Sequence, residues 1–207
     1  MSVQCFDLAA VTPMPWKNGG GTTRELVCWP PHAGLQDFGW RVSVATIAAP
    51  GPFSAFAGID RHIMLLEGDG VHLRSTEPGA AALDHTLGQP WQPFAFSGDL
   101  ALDCTLLGGT STDFNLMLRR GQWAMAGQEG VELRHGVSQP GQSTAGLCLV
   151  LAGTWTWGEQ ALTPGQGLWW SEPHAVPALV PGGEGARLAW VALEPVAGLP
   201  VKSASGA

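Results

Sequence analysis

The chain contains no tyrosine, although it has 10 tryptophans, and charge is scarce: only 13% of its residues are Asp, Glu, Lys or Arg. With 45% apolar residues, that low charge excludes a disordered chain, because enough hydrophobic surface is present to offset the entropy of ordering. Basic residues are few, 10 against 17 acidic, and the formal charge is −7. A phosphate backbone finds no cationic footprint here, so nucleic acid is excluded as a partner. No apolar run approaches the length of a membrane-spanning helix, and no membrane partner is expected. The N-terminus carries Asp7 and has neither a basic region nor an apolar core of a secretory leader. The four cysteines, Cys5, Cys28, Cys104 and Cys148, form no CxxC pair. Their wide spacing excludes a disulfide framework or zinc knuckle, and Cys104 and Cys148 lie in apolar runs as reduced, buried thiols. A cytoplasmic location is the expectation.

Metal and nucleophile signatures are also missing. The six histidines, His32, His62, His72, His85, His135 and His174, include no HxH, and only His62 with Glu67 and His72 approaches a metal-binding pattern. Converging ligands are what a metal site requires, so no metal and no cofactor are expected. No GxSxG elbow and no GxxxxGK[ST] phosphate loop occurs.

What is present is punctuation. The 29 glycines and 16 prolines interrupt the chain at intervals of about 8–12 residues, the rhythm of short antiparallel strands. No long helical stripe is found. Strands are expected at 40–47, 62–67, 71–74, 100–107, 113–119, 146–152, 154–157, 167–170 and 187–193. Residues 62–74 and 147–157 share one layout: an apolar strand, a glycine turn, then an alternating strand. The repetition predicts an all-β chain of two tandem jelly-roll β-barrels packed as one compact unit. Residues 1–110 form the first barrel, 111–195 the second and 196–207 a loose tail.

Candidate chemistry begins at Trp16-Lys17-Asn18-Gly19-Gly20-Gly21-Thr22-Thr23-Arg24-Glu25. Successive glycine amides can cup an anion, and Lys17 and Arg24 add positive charge, Arg24 with a fork suited to a carboxylate. The plainer alternative is a tight turn entering a strand, with Arg24 and Glu25 paired across its surface. On the strand at 113–119, period-2 geometry places Asp113, Asn115, Met117 and Arg119 on one face and Phe114, Leu116 and Leu118 on the other. Arg41 and Ser43 likewise share a face opposite Trp40, Val42 and Val44. If those faces point inward, they line a polar pocket containing arginines; otherwise they are wet. Arg61 stands either at a barrel mouth or in a surface pair with Asp60, and Asp99 is placed to answer Arg61, Arg41 or Lys17. The tryptophans of the second half, Trp155, Trp157, Trp169 and Trp170, read as core.

The segments 14–25, 38–43, 51–61, 65–70, 93–99 and 113–117 together resemble the HutD/Ves family of proteins associated with bacterial histidine utilisation. The resemblance implies a bicupin (RmlC-like) fold and a regulator that restrains histidine-catabolism genes, sensing a product such as formylglutamate or urocanate. It transfers no catalytic residue.

The expected partner is therefore a small carboxylate, with a homodimer as the candidate assembly. Its ligand set is Lys17, Asn18, Gly20, Arg24, Glu25, Arg41, Ser43, Arg61, Asp99, Asn115 and Arg119. The alternative is a metal-independent cupin enzyme, an isomerase or lyase, with Glu25, Asp99 and Asp113 as acid–base groups.

Overall fold

A computed structural model describes residues 3–77, 79, 82–127 and 129–197. Among these the chain is all-β, with one 3-10 turn at Leu8–Ala10 and no α-helix. The strands are β1 (Gln4–Asp7), β2 (Met14–Pro15), β3 (Gly21–Trp29), β4 (Trp40–Ile47), β5 (Gly51–Phe53), β6 (Ile59–Glu67), β7 (Val71–Ser75), β8 (Asp84–Leu87), β9 (Pro93–Ser97) and β10 (Leu102–Leu106). They continue with β11 (Ser111–Arg119), β12 (Trp123–Met125), β13 (Glu132–Arg134), β14 (Ala145–Ala152), β15 (Trp155–Trp157), β16 (Gln160–Leu162), β17 (Gln166–Trp170), β18 (Leu179–Pro181) and β19 (Arg187–Pro195).

The chain divides into two compact units, but not after residue 110. Thr12–Arg120 belongs to the first unit, and the residues up to Val11 join those from Gly121 onward in the second. Two pairings explain the shift. Strand β11 is hydrogen-bonded between β4 and β6, in the middle of the first unit's larger sheet. Strand β1 pairs with β17, so the N-terminus completes the second unit. The tail expected at 196–207 lies almost wholly outside the described residues.

In the first unit a six-stranded sheet, β2-β3-β4-β11-β6-β9, is matched by a four-stranded sheet, β5-β10-β7-β8. Ile47, Ile63 and Leu65 from the larger sheet pack with Phe53, Leu73, Leu102 and Cys104 from the smaller. The inner face of each sheet is thereby fixed. The second unit repeats the plan, with β1-β17-β14-β19-β12 (and β13 beside β19) matched by β16-β15-β18. Its core joins Cys148, Leu168, Trp170 and Trp190 to Trp155, Leu162 and Leu179.

The repeated strand–turn–strand layout has a structural role. In each unit the apolar strand, β6 or β14, lies in the larger sheet and the next strand, β7 or β15, in the smaller one. The turn carries the chain across. At Gly68 the backbone is left-handed (φ +95°), and a Cβ there would stand 2.4 Å from the Thr110 carbonyl oxygen, so only glycine fits.

Candidate functional site

The inner face of the larger sheet in the first unit can be read from register. Ile47 and Ile63 face the core, and alternation carries the same face to Ser43 and Arg41 on β4 and to Arg61 on β6. On β11, Asp113 lies opposite Ala45 and Leu65, Asn115 opposite Ser43 and Ile63, and Met117 opposite Arg41 and Arg61. On β3, Glu25 lies opposite Ser43. Alternation thus brings Glu25, Arg41, Ser43, Arg61, Asp113 and Asn115 together on one inward-facing surface.

Arg41 is held there by three contacts. Its Nε donates to Glu25 Oε2 at 2.7 Å, and its Nη1 donates to Ser43 Oγ at 3.2 Å and to Met117 Sδ at 3.7 Å. Glu25 is the outer member of the ion pair, with 40% of its side chain exposed against 10% for Arg41.

Arg61 is only 3% exposed. Its guanidinium lies 4.5 Å from the Phe53 ring centroid, 5.2 Å from Phe96 and 5.5 Å from Phe56. A cation stripped of water is tolerated beside aromatic faces because their negative quadrupoles replace part of its hydration. Nη1 donates to the Ser54 carbonyl at 3.2 Å, while buried Nε has no acceptor. Burial lowers the pKa to about 10, opposed by the charge of Asp113, so the group stays cationic at neutral pH.

Asp113 is 2% exposed, and no donor reaches either carboxylate oxygen; Asn115 Oδ1 is also buried without a donor. Burial pushes the Asp113 carboxyl up to about 7, against the pull of Arg61. Orphaned buried polar atoms are rare, and several on one face call for an explanation: local strain, an ordered water or ion, or a ligand. This arrangement presents a guanidinium donor beside acceptors that lack donors, which suits a small polar group bearing both oxygen and hydrogen.

Other candidates from the sequence lie elsewhere. Arg24 pairs in register with Val44, so it projects from the opposite face of the sheet to Glu25 and Arg41. The glycine segment is a hairpin turn: Asn18 Oδ1 accepts from Gly20 N at 3.0 Å, and Gly19 N donates to the Trp16 carbonyl at 3.0 Å. Those amides are consumed within the turn rather than cupping an anion, and Lys17 is exposed beside them. A Cβ at Gly21 would come 2.3 Å from the Thr46 carbonyl oxygen, so close strand approach accounts for that glycine. Asp99 answers none of the expected cations. It accepts from Gly58 N at 2.6 Å and pairs with Arg120 at 2.9 Å, and Arg120 also takes Asp60, leaving Arg61 unpaired with it. Arg119 donates to the carbonyls of Phe38 (2.7 Å) and Gln36 (2.8 Å), clasping the loop before β4.

Sequence reasoning named Asp113 as an acid–base group but left it out of the ligand set, and it missed the box of Phe53, Phe56 and Phe96. The signal was there, since all three rings lie in the motif segments 51–61 and 93–99. His62 projects from β6 on the face opposite Arg61, and His72 pairs with Asp84 at 2.6 Å. Among the described residues, no three His, Cys, Asp or Glu side chains converge as metal ligands, and no helix is long and apolar enough to cross a membrane.

In the second unit an open cleft of about 280 Å³ is lined by Glu132, Arg134, Ser143, Trp190 and Glu194. Its charged side chains already have partners. Arg134 stacks on Trp190 at 4.2 Å and pairs with Glu132 at 2.9 Å, and Glu194 accepts from the amide and hydroxyl of Thr144.

Comparison with known proteins bears on the fold and the family. YhhW from Escherichia coli, a bacterial pirin, shares the cupin-like all-β fold at 8% identity (TM-score 0.61, covering 92% of this chain and 97% of that one). The structure of HutD from Pseudomonas fluorescens SBW25 matches at 28% identity and a TM-score of 0.76, covering 94% of this chain and 99% of that one. Protein Ves of Citrobacter koseri is 38% identical over 184 residues, 88% of this chain and 91% of the relative. Protein Ves of Cronobacter sakazakii is 37% identical over 171 residues, 82% of this chain and 88% of the relative. The HutD family model matches residues 8–187, and the chain belongs to the HutD family.

Proposed function

We propose that this protein is a bicupin of two tandem jelly-roll barrels that binds a small carboxylate without transforming it. The binding site is the inner face of the first unit. Family membership supports a role that limits expression of histidine-utilisation genes, with formylglutamate or urocanate as the sensed ligand. The observation that carries the reading is the pair of buried arginines, Arg41 and Arg61, beside polar atoms that have no partner. Arginine's planar fork suits a carboxylate, and its weak hydration lowers the cost of waiting in a buried site.

Calorimetric titration with formylglutamate, urocanate, glutamate and histidine tests this. At least one carboxylate is expected to bind below millimolar concentration, and Arg61→Met should weaken it by tenfold or more, a charge-assisted contact being worth about 1.5–3 kcal/mol. No binding by any of the four, or unchanged binding after replacement of both arginines, overturns the reading.

One observation favours a second reading, a metal-independent isomerase or lyase: the Asp113 carboxyl, raised to about 7, is poised for proton transfer at neutral pH. NMR of the same compounds with concentrated protein separates the two, since product formation removes the non-enzymatic reading.

A further inference from the structure

We propose that a carboxylate enters the first unit together with one proton, and that this proton resides on Asp113, making it the specificity-determining residue of the site. The inference rests on the carboxylate reading above and adds the protonation chemistry.

The argument is one of charge and hydrogen bonding. Asp113 lies on the inner face of β11, between β4 and β6. The charged or titratable groups around it are Arg61 from β6, Arg41 from β4, Glu25 from β3 and Cys104 from the opposing β10. On β8, His85 lies opposite inward-facing Leu73 and stacks on Phe94 at 3.5 Å; burial lowers its pKa, so it is neutral at pH 8. The remaining inward side chains from β5, β7 and β9 are apolar: Phe53, Val71, Leu73, Phe94 and Phe96. Two guanidinium groups therefore face two carboxyl groups, and Arg41 is already committed to Glu25. With Asp113 ionised, the site is balanced before anything binds.

A carboxylate ligand brings a third negative charge to two positive ones. Two carboxylates sharing one desolvated site do not both stay ionised; one takes a proton. Asp113 is the group that yields. Glu25 is half-exposed and ion-paired. The Cys104 thiol is pushed up to about 11 by burial and is already protonated. No side chain or neighbouring amide donates to either Asp113 oxygen, and its anion is favoured only by the field of Arg61 and, less, by its own backbone N–H, which burial outweighs.

Protonation also repairs the orphaned acceptor. Asp113-COO⁻ takes a proton from solvent, and Asp113-COOH donates it in a hydrogen bond to the ligand's carboxylate oxygen, while Arg61 holds the negative charge. One proton is taken up per carboxylate, and no bond within the ligand is broken. A cationic amine would instead pair with ionised Asp113 and take up no proton. A dianionic phosphate would leave uncompensated charge, so the site selects monoanionic head groups.

The pH signature follows. Below about 7 the carboxyl is already protonated in the free protein, and affinity is flat with pH. Above that value the proton must be drawn from solvent, and affinity falls about tenfold per pH unit. Formylglutamate is a suitable probe because both its carboxyls are ionised between about pH 5.5 and 8.5; succinate, whose second carboxyl still titrates near about pH 5.5, is the second, used at about pH 7 and above. Calorimetry at pH 8 in two buffers of different protonation enthalpy should show uptake close to one proton per ligand. Asp113→Asn, which keeps shape and a donor, should bind at pH 8 with little or no uptake and a much flatter pH profile. Equal affinity at pH 5.5 and 8.5 with no buffer-dependent heat, or full uptake surviving in Asp113→Asn, would overturn the inference while leaving carboxylate binding intact. Failure of both probes to bind at any pH sinks the carboxylate reading and this inference with it.

Discussion

Between its two sheets the first unit buries Arg41, Arg61, Asp113 and Asn115, whereas the second buries Trp155, Trp170, Trp190 and Cys148 between its own. Both interiors arise from the same alternation on the same strand–turn–strand plan. The second is filled by indole rings, Trp170 against Trp190 at 5.3 Å, and Trp170 Nε1 donates to Ser143. Burial pushes the Cys148 thiol up to about 12, so it behaves as a small apolar group. The first interior accepts the cost of desolvating charge without fully pairing it. Spending stability in this way makes sense only where the unmatched groups have a use. On the proposed reading, the difference leaves packing to the second unit and recognition to the first.

The largest expected effect tests the packing half of that contrast. Trp170→Ala removes a fully buried ring and should cost about 3–5 kcal/mol in urea unfolding of the second unit. Formylglutamate affinity should not change under conditions where the variant is folded. A loss of binding by folded Trp170→Ala protein would show that the second interior takes part in recognition.

A smaller effect tests the recognition half through stability and pH. The Asp113 carboxyl is raised in the folded chain from 3.8 to about 7. Folded protein therefore holds a proton that unfolded protein has released. The associated stability is fully present below 3.8 and is lost as pH rises through about 7, a change on the order of 4 kcal/mol. Unfolding of wild type compared with Asp113→Asn isolates this group from others that titrate. The variant should gain on wild type between pH 5 and pH 8. A constant difference across that range would mean that Asp113 is not the buried, unpaired acid described here.

Much of the first interior was legible from alternation alone. On β4 and β11 the period-2 pattern is unbroken, and it placed Arg41, Ser43, Asp113 and Asn115 on common faces. Alternation also separates Arg24 from Glu25, but it does not say which of two neighbours turns inward. The glycine motif drew attention to Arg24, while the register with Ser43 selects Glu25. The apolar run that marks β6 in the sequence begins at His62, which puts Arg61 at a strand entrance, although pairing with β11 begins at Ile59. The unit boundary was out of reach for a different reason. The pairings of β11 with β4 and β6, and of β1 with β17, join distant parts of the chain, and no local pattern encodes a partner so far away.

The smallest expected effect is the sharpest test of which face matters. Arg24→Ala removes the cation that stands in the most distinctive segment of the sequence, yet its side chain leaves β3 on the side away from Arg41 and Arg61. Lys17→Ala removes an exposed cation from a turn whose amides are already engaged. Neither should shift carboxylate affinity by more than about twofold, because Lys17 is exposed and screened at ordinary ionic strength, and Arg24, half-buried, projects from the face of the sheet opposite Glu25 and Arg41. Arg41→Ala, by contrast, breaks the pair with Glu25 and should weaken binding by tenfold or more. If Arg24→Ala matched Arg41→Ala with the fold intact, recognition would have to extend to the other face of the sheet, and the assignment of ligand binding to the first interior alone would fail.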